Sequence, residues 1–413
     1  MEIHTGEWVV PVAEPPIKNG GVALFQDGIA AVGSRKTLLQ AFPEAQCVAH
    51  HGAVLTPPLV NAHIHLELSS LKELGQGASP SHFTQWILAL VSLRAKRGAM
   101  GKEVSNAALK QLKKQYNDGV SAILDIGNTP VVAELTQEFQ GFLFPCKEYL
   151  GFAGDHLENN VSRLDAEEQN ILCTGHALYS THKVLLMALK NRCKQQDAVF
   201  SIHVAETKAE VEMVQQGTGE MVAFLCDRGF WDERFLPEVG ASGAVAYLDK
   251  LGLLDEQTLC VHCVHLSDGE IELIARKKAH ICLCPGSNRF LDVGRAPVQK
   301  MVNAGILPAL GTDSLASNPE ISLWREMQLL AEEHPGVLPE TIFSMATLGG
   351  AQALGIAATL GTLSRGKLPE MLSIQLPGPM ASAEDVMEYL VTTGSAIQPV
   401  RIKSMSGSKQ WHV

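Results

Sequence analysis

The run Leu59-Val60-Asn61-Ala62-His63-Ile64-His65-Leu66-Glu67-Leu68 carries an apolar stretch into two histidines separated by one position. In a β-strand, side chains at i and i+2 share a face, so His63 and His65 present two imidazoles to one point, about 6 to 7 Å apart along the backbone. That geometry suits a single metal ion. The plain alternative is a chance His-x-His in a chain holding 15 histidines. The sequence downstream decides between them.

From Val54 onward, short apolar runs alternate with longer segments of helical spacing. Eight runs read as strands: Leu55 to Ala62, Ala122 to Asp125, Gly141 to Glu148, Ile171 to Gly175, Val199 to Val204, Leu259 to Cys263, His280 to Cys284 and Ile306 to Gly311. Between them, helical spacing covers His82 to Lys96, Val104 to Tyr116, Lys183 to Lys194, Lys208 to Gln215, Gly269 to Lys277 and Pro297 to Asn303. Ser322 to Glu333, Pro339 to Ala346 and Gly350 to Leu354 would complete the set. Strand and helix alternating over about 250 residues predicts an α/β protein, a (β/α)8 TIM-like barrel over 54–360.

The flanks have a different texture. Trp8 to Val12, Gly21 to Phe25 and Ile29 to Val32 read as strands joined by turns, one of them at Asp27-Gly28. Short β-like runs return after Gly361, at Met371 to Leu376 and near Val400. The expectation is a small β domain built from both chain termini, residues 1–53 plus 361–413.

A chain of 413 residues, 46% hydrophobic and 19% charged, is an ordinary globular protein long enough to bury a large core. A formal net charge of -11 without a basic run argues against nucleic acid, whose binding needs clustered Lys and Arg. No stretch approaches the roughly 18 consecutive apolar residues of a membrane span, and Met1 to Val12 lacks a basic segment followed by an apolar one. A cytoplasmic protein with no membrane partner is expected. The nine cysteines are scattered, and Cys260, Cys263, Cys282 and Cys284 lie in strand-like runs where burial as free thiols is the usual fate.

In a parallel barrel the active site gathers at the C-terminal ends of the strands. Polar residues collect at those ends here. His63 and His65 follow the first strand and His176 the fourth; the fifth carries His203 and, three residues on, Glu206; the sixth carries His262, and Asp313 follows the eighth. One such residue is unremarkable, but the whole set in register is not.

The motifs His63-Ile64-His65, Gly175-His176-Ala177-Leu178-Tyr179, His203-Val204-Ala205-Glu206, His262-Cys263-Val264-His265-Leu266, Cys284-Pro285-Gly286-Ser287-Asn288 and Gly311-Thr312-Asp313-Ser314 run in one order over nearly the whole chain. In that order the chain resembles the amidohydrolase superfamily, in the branch of cytosine, guanine and adenosine-derivative deaminases and triazine chlorohydrolases. Ala346 to Ala351 and Gly361 to Lys367 match the same pattern, whereas Leu368-Pro369-Glu370 departs from the usual alanine and aspartate. The resemblance implies that His63, His65, His203 and Asp313 hold one divalent metal. Three imidazoles and a carboxylate suit zinc, with iron as the alternative.

On this reading Asp313 accepts a proton from the attacking water and His262 stabilises charge at the attacked carbon. Glu206 shuttles a proton between the ring nitrogen and the leaving amine. His176 would hydrogen-bond the substrate, while His182, His265 and His280 read as structural. The form His65-Leu66-Glu67-Leu68-Ser69, with Trp86 beyond it, resembles the aminodeoxyfutalosine deaminases of menaquinone biosynthesis more than the adenosylhomocysteine deaminases. Glu67 would then accept hydrogen bonds from ribose or base, and Trp86 would stack on a flat ring.

The expected activity is hydrolytic deamination of an adenine-type nucleoside, 6-aminodeoxyfutalosine first. Alternatives are adenosine, methylthioadenosine, adenosylhomocysteine or a free base such as guanine or cytosine, or hydrolysis of a cyclic amide or a carbon–chlorine bond. The partner is a small-molecule substrate, a homodimer stays open, and the glycine-bearing loop Ser69 to Ser81 is a candidate cover for the pocket.

Overall fold

Pro57-Pro58 divides what reads in sequence as one strand from Leu55 to Ala62. Proline has no N–H to give a ladder, so pairing stops there and the chain changes sheets. The computed structural model describes residues 1–151, 154–231 and 241–404. Before the break lie β1 (Glu2–Val9), β2 (Ile17–Lys18), β3 (Gly20–Phe25), β4 (Gly28–Ser34) and β5 (Gln46–Thr56). Sequence reading had given the end of β5 to the next sheet.

After the break, β6 (Leu59–Ile64), β7 (Val120–Gly127), β8 (Phe142–Tyr149) and β9 (Leu172–Gly175) form one parallel sheet in that order. A second parallel sheet runs β10 (Phe200–Val204), β11 (Thr258–His262), β12 (His280–Leu283) and β13 (Ala309–Leu310). Each of the eight strands expected from sequence has its counterpart here. The two sheets touch at both edges. Ala177 bridges His203 in parallel, with His203 N–H donating to His176 O at 2.9 Å. Ile64 bridges Asp313 likewise, with Thr312 N–H donating to His63 O at 2.9 Å.

Every residue of β7, β10 and β11 is buried, as expected of parallel strands covered on both faces. Helices supply the cover. Lys102–Asn117 buries Val104, Ala108, Leu112 and Gln115, one stripe at helical spacing.

The chain returns to the first sheet through β14 (Glu370–Gln375) and β15 (Val400–Lys403), giving the order β15-β14-β5-β1-β3-β4 with β2 paired to β1. Both chain ends thus share one sheet, joined where Leu372 of β14 pairs with Thr56 of β5. At the departure noted in sequence, Glu370 pairs with Arg401, and both bond the Ser121 hydroxyl of β7. The β texture after Gly361 is interrupted by a helix. Ala383–Thr392 is a helix opened by a Ser382/Asp385 capping box, and Val386, Met387, Leu390 and Val391 join the core that holds Trp324 and Ile342.

Ser69 to Ser81 is likewise not a simple loop. Leu66–Leu71 and Lys72–Gly75 are helical, with Ser69, Ser70 and Leu71 buried. A Cβ on Gly75 would come 2.3 Å from Leu315 O, so only glycine lets this turn dock against the segment after Asp313. The exposed residues are Lys72, Glu73, 76–79 and Ser81.

Candidate active site

The strands deliver their side chains to one place. His63, His65 and His203 offer ring nitrogens that all lie within 4.8 Å of one another, and all three residues are buried. His65 Nδ1 donates to Ile126 O at 2.8 Å and His203 Nδ1 to His176 O at 3.0 Å. A carbonyl only accepts, so each ring carries its proton on Nδ1 and turns a bare lone pair on Nε2 inward. The two Nε2 atoms are 3.4 Å apart.

His63 is fully buried, and neither of its ring nitrogens has a hydrogen-bond partner. Asp313 Oδ1 lies 3.7 Å from His65 Nε2. Unpaired buried nitrogens are costly unless something binds them. Three converging imidazole lone pairs beside a carboxylate fit a divalent cation.

The titration of these groups follows their burial. Burial first, then the neighbouring His65 and His203, push His63 well below the usual histidine range. Burial and the surrounding histidines do the same to His203, and His176 falls to about 3, through burial first and then His65. Neutral rings are what a metal needs. Burial alone would raise Asp313, but His65, His262, the Ser287 hydroxyl and His203 outweigh it and hold the carboxyl low.

Glu206 is the opposite case. It is 3% exposed, and burial followed by the Asp313 charge pushes its carboxyl well above the usual range. Its Oε1 lies 3.6 Å from His262 Nε2. The loop that carries it is pinned from the next helical turn, where Glu210 accepts the Glu206 N–H at 3.0 Å. His262 is set by Asn288, whose Oδ1 accepts from His262 Nδ1 at 2.9 Å. Ser287, the neighbour of Asn288, donates to Asp313 Oδ2 at 2.6 Å.

Ala205, His262 and Asp313 all have left-handed backbones, with φ of 52°, 72° and 54°. Such residues cost of order 1–3 kcal/mol each and persist where the surroundings impose them. These turns lie at the strand ends, where His262 and Asp313 themselves, and Glu206 after Ala205, belong to the site.

Two expected substrate contacts have partners within the protein. Both Glu67 oxygens are taken: Oε1 accepts from Arg94 at 2.5 Å and Asn128 N–H at 3.1 Å, while Oε2 accepts from the Thr129 N–H and hydroxyl. Those bonds use the acceptor positions a ribose or base would need. Trp86 is half-buried, its indole N–H donates to Ala316 O at 2.9 Å, and its ring stacks 5.7 Å from Phe83. From Phe83 the aromatic contacts continue through Tyr179 to His176. Trp86 therefore stands two rings away from the histidine expected to meet substrate.

His176 itself packs 4.7 Å, centroid to centroid, from His203. His182 caps the helix Lys183–Gln196 and His265 bonds Val293 O, structural placements for both. The nine cysteines are free thiols, and Cys260, Cys263, Cys282 and Cys284 are buried. Sequence reading missed Asn288 and Ser287 as individual residues, although the Cys284 to Asn288 motif pointed at them. It had no signal for Glu210, an ordinary first-turn acid in sequence.

The family model for the amidohydrolase family matches residues 54–397. A 5-methylthioadenosine/S-adenosylhomocysteine deaminase of Syntrophobacter fumaroxidans is 27% identical over 87% of this chain and 81% of its own. An aminodeoxyfutalosine deaminase of Deinococcus radiodurans is 29% identical over 81% of each chain. The crystal structure of Helicobacter pylori aminofutalosine deaminase in complex with methylthio-coformycin superposes with a TM-score of 0.79 at 24% identity, over 94% of this chain and 96% of that one. The histidine cluster and the matched residues together establish that the chain belongs to the amidohydrolase family, hydrolases of carbon–nitrogen bonds.

Proposed function

We propose that the protein is a metal-dependent deaminase of an adenine-type nucleoside, with 6-aminodeoxyfutalosine as its substrate in menaquinone biosynthesis. One observation carries the reaction class: Glu206 is a buried carboxyl whose pKa burial raises, 3.6 Å from His262 and beside the histidine cluster. Hydrolysis of an aromatic amine needs such an acid, because the ring nitrogen beside the attacked carbon must be protonated. The Deinococcus radiodurans relative and the His65 to Ser69 form favour the futalosine derivative. The Syntrophobacter fumaroxidans relative, at similar identity, makes methylthioadenosine or adenosylhomocysteine the second reading.

We also read the two parallel sheets as halves of one closed (β/α)8 barrel, because bridges at Ala177–His203 and Ile64–Asp313 link both pairs of edges. The sheet shared by the chain ends is then a small composite domain beside it. Site residues from six different strands or their following loops converge on one mouth, as a closed barrel requires.

In this reading His63, His65, His203 and Asp313 hold one divalent ion, zinc or iron. Bound there, the ion supplies Lewis acidity that lowers the pKa of water towards about 7. Asp313 takes the proton of the attacking water. His262, fixed by Asn288, turns the bare Nε2 to the addition site, where it accepts a hydrogen bond from the attacking water. Glu206 gives its proton to the ring nitrogen; of the water's two protons one passes to the amine, which leaves as ammonia, and the other restores Glu206, while the ring keeps the oxygen. His176 hydrogen-bonds the far edge of the base. Glu67 is a strut that ties the turn after β6 to Asn128, Thr129 and Arg94.

The test is kcat/KM for ammonia release from metal-replete protein with 6-aminodeoxyfutalosine, adenosine, methylthioadenosine, adenosylhomocysteine, guanine and cytosine. A wide lead for the futalosine derivative supports the full reading. A lead for methylthioadenosine or adenosylhomocysteine moves the substrate to the second reading, and a lead for a free base removes the nucleoside from it.

A further inference from the structure

Glu148, at the end of β8, is 7% exposed, and its Oε1 has no hydrogen-bond partner. Its other oxygen accepts from Asn128 Nδ2 at 3.0 Å, and Asn128 also donates to the Glu148 backbone carbonyl at 3.1 Å. The carboxylate is thus held by one edge, with the other oxygen left without a partner. Glu148 belongs to a second group of candidate donors: one of its carboxylate oxygens and ring nitrogens of His176 and His203 lie within 4.8 Å of one another.

A second metal ion is a poor fit to this group. His203 has one lone pair, on Nε2, because Nδ1 is spent on His176 O. The same Nε2 faces His65 across 3.4 Å in the first cluster. An imidazole with one lone pair serves one ion, so Glu148 and His176 are left as a polar pair without a metal of their own.

We propose that Glu148 is a substrate-specificity residue whose free oxygen accepts a hydrogen bond from a ribose hydroxyl of the nucleoside. This rests on the deaminase reading above. The order of the strands gives the direction: Glu206 follows β10, His176 follows β9 and Glu148 ends β8, so the three step across the pocket in one sense. A base with its reacting edge at Glu206 and its far ring nitrogen at His176 brings the adjoining sugar to Glu148. A buried acceptor with no partner in the protein discriminates by what fills it: a substrate lacking the hydroxyl leaves it unpaired. The charge excludes an anionic group from the same position.

The experiment is a cycle of two changes, one in the protein and one in the substrate. kcat/KM is measured for the best nucleoside of the panel and for its 2′-deoxy and 3′-deoxy analogues, with wild type, Glu148→Ala and Glu148→Gln. Metal content of each protein is determined by elemental analysis. Wild type is expected to prefer the hydroxylated substrate over at least one deoxy analogue by about tenfold or more. Glu148→Ala, in which Asn128 keeps its backbone partner, should erase most of that preference while metal content stays at wild-type level. If Glu148→Ala folds poorly, Glu148→Gln keeps the volume and should still narrow the preference.

Equal losses on all three substrates would make Glu148 structural and overturn the proposal. Loss of metal from the Gln variant would make it a ligand instead and also overturn it. Wild-type deamination with no preference for a hydroxyl would overturn the specificity role while leaving the deaminase reading intact. A wild type that deaminates no nucleoside at all would remove both.

Discussion

His65 and His203 turn their Nε2 atoms toward each other across 3.4 Å, while each Nδ1 donates to a backbone carbonyl. Two acceptors at that distance repel, and only a cation between them makes the arrangement favourable. His63, buried with two unpartnered nitrogens, adds to the same demand.

Metal removal should therefore reduce stability as well as activity. A ligand present at 100 times its dissociation constant contributes about 2.7 kcal/mol to the folded state. Chelated protein is expected to melt at a lower temperature and to recover with one equivalent of zinc per chain, read by calorimetry and elemental analysis. An unchanged melting temperature after verified metal loss would count against the cluster as a binding site.

Glu206→Gln keeps the shape and removes the proton. Metal content should be unchanged, and kcat should drop by about 10² or more, the usual weight of a positioned acid–base group. Near-normal turnover would take Glu206 out of the mechanism.

Ser287→Ala and Asn288→Ala separate two supporting bonds. Ser287 orients Asp313 and Asn288 orients His262. Loss of such outer partners usually costs about 10- to 100-fold in metal affinity or activity. Ser287→Ala is expected to weaken metal binding, in a competition assay with a chelator. Asn288→Ala should lower kcat while leaving metal affinity near wild type. The reverse pattern would exchange the two roles.

Much of this site is legible in the sequence because barrel geometry couples chemistry to position. His63 and His65 announce themselves through the two-residue period of a strand, and His203, His262 and Asp313 through their place after apolar runs. The bonds that set them are not legible. Ser287 reaches Asp313 and Asn288 reaches His262 across 26 residues in each case, and no local pattern encodes that. Glu67 shows the converse. It sits in the most informative motif of the chain, yet its carboxylate is taken by Arg94, Asn128 and Thr129, partners that only the fold brings near. The strand break at Pro57-Pro58 was missed, since Leu55 to Ala62 read as one strand, although proline has no N–H to give a ladder.

Glu67→Ala tests that reassignment. It strands Arg94 and the N–H groups of Asn128 and Thr129, at a cost of about 3 kcal/mol for a largely buried ion pair. Urea unfolding should show that loss. A variant with wild-type stability and a raised KM would return Glu67 to the substrate.

Glu326 links site geometry to pH. Its oxygens accept from Gly286 N–H and Asn318 Nδ2, both at 2.7 Å, and so it anchors the turn that carries Ser287 and Asn288. Burial pushes its carboxyl from 4.5 up to about 8. The folded state then keeps a proton that the unfolded chain releases. The stabilisation is complete below about pH 4.5 and is lost as pH rises through about 8. Glu326→Gln should flatten the decline of the unfolding free energy from urea titrations over that window, by up to about 1.4 kcal/mol per pH unit. An identical slope in the variant would place the titrating group elsewhere.

The central claim is that this metal site hydrolyses the amine of an adenine-type nucleoside. The most direct measurement is product stoichiometry: metal-replete protein with 6-aminodeoxyfutalosine, ammonia and the 6-oxo nucleoside quantified together, before chelation, after chelation and after zinc is restored. The account predicts one ammonia per oxo product, abolished by chelation and recovered with metal. Ammonia release that survives complete metal removal, or none from any nucleoside offered to the loaded protein, would contradict it.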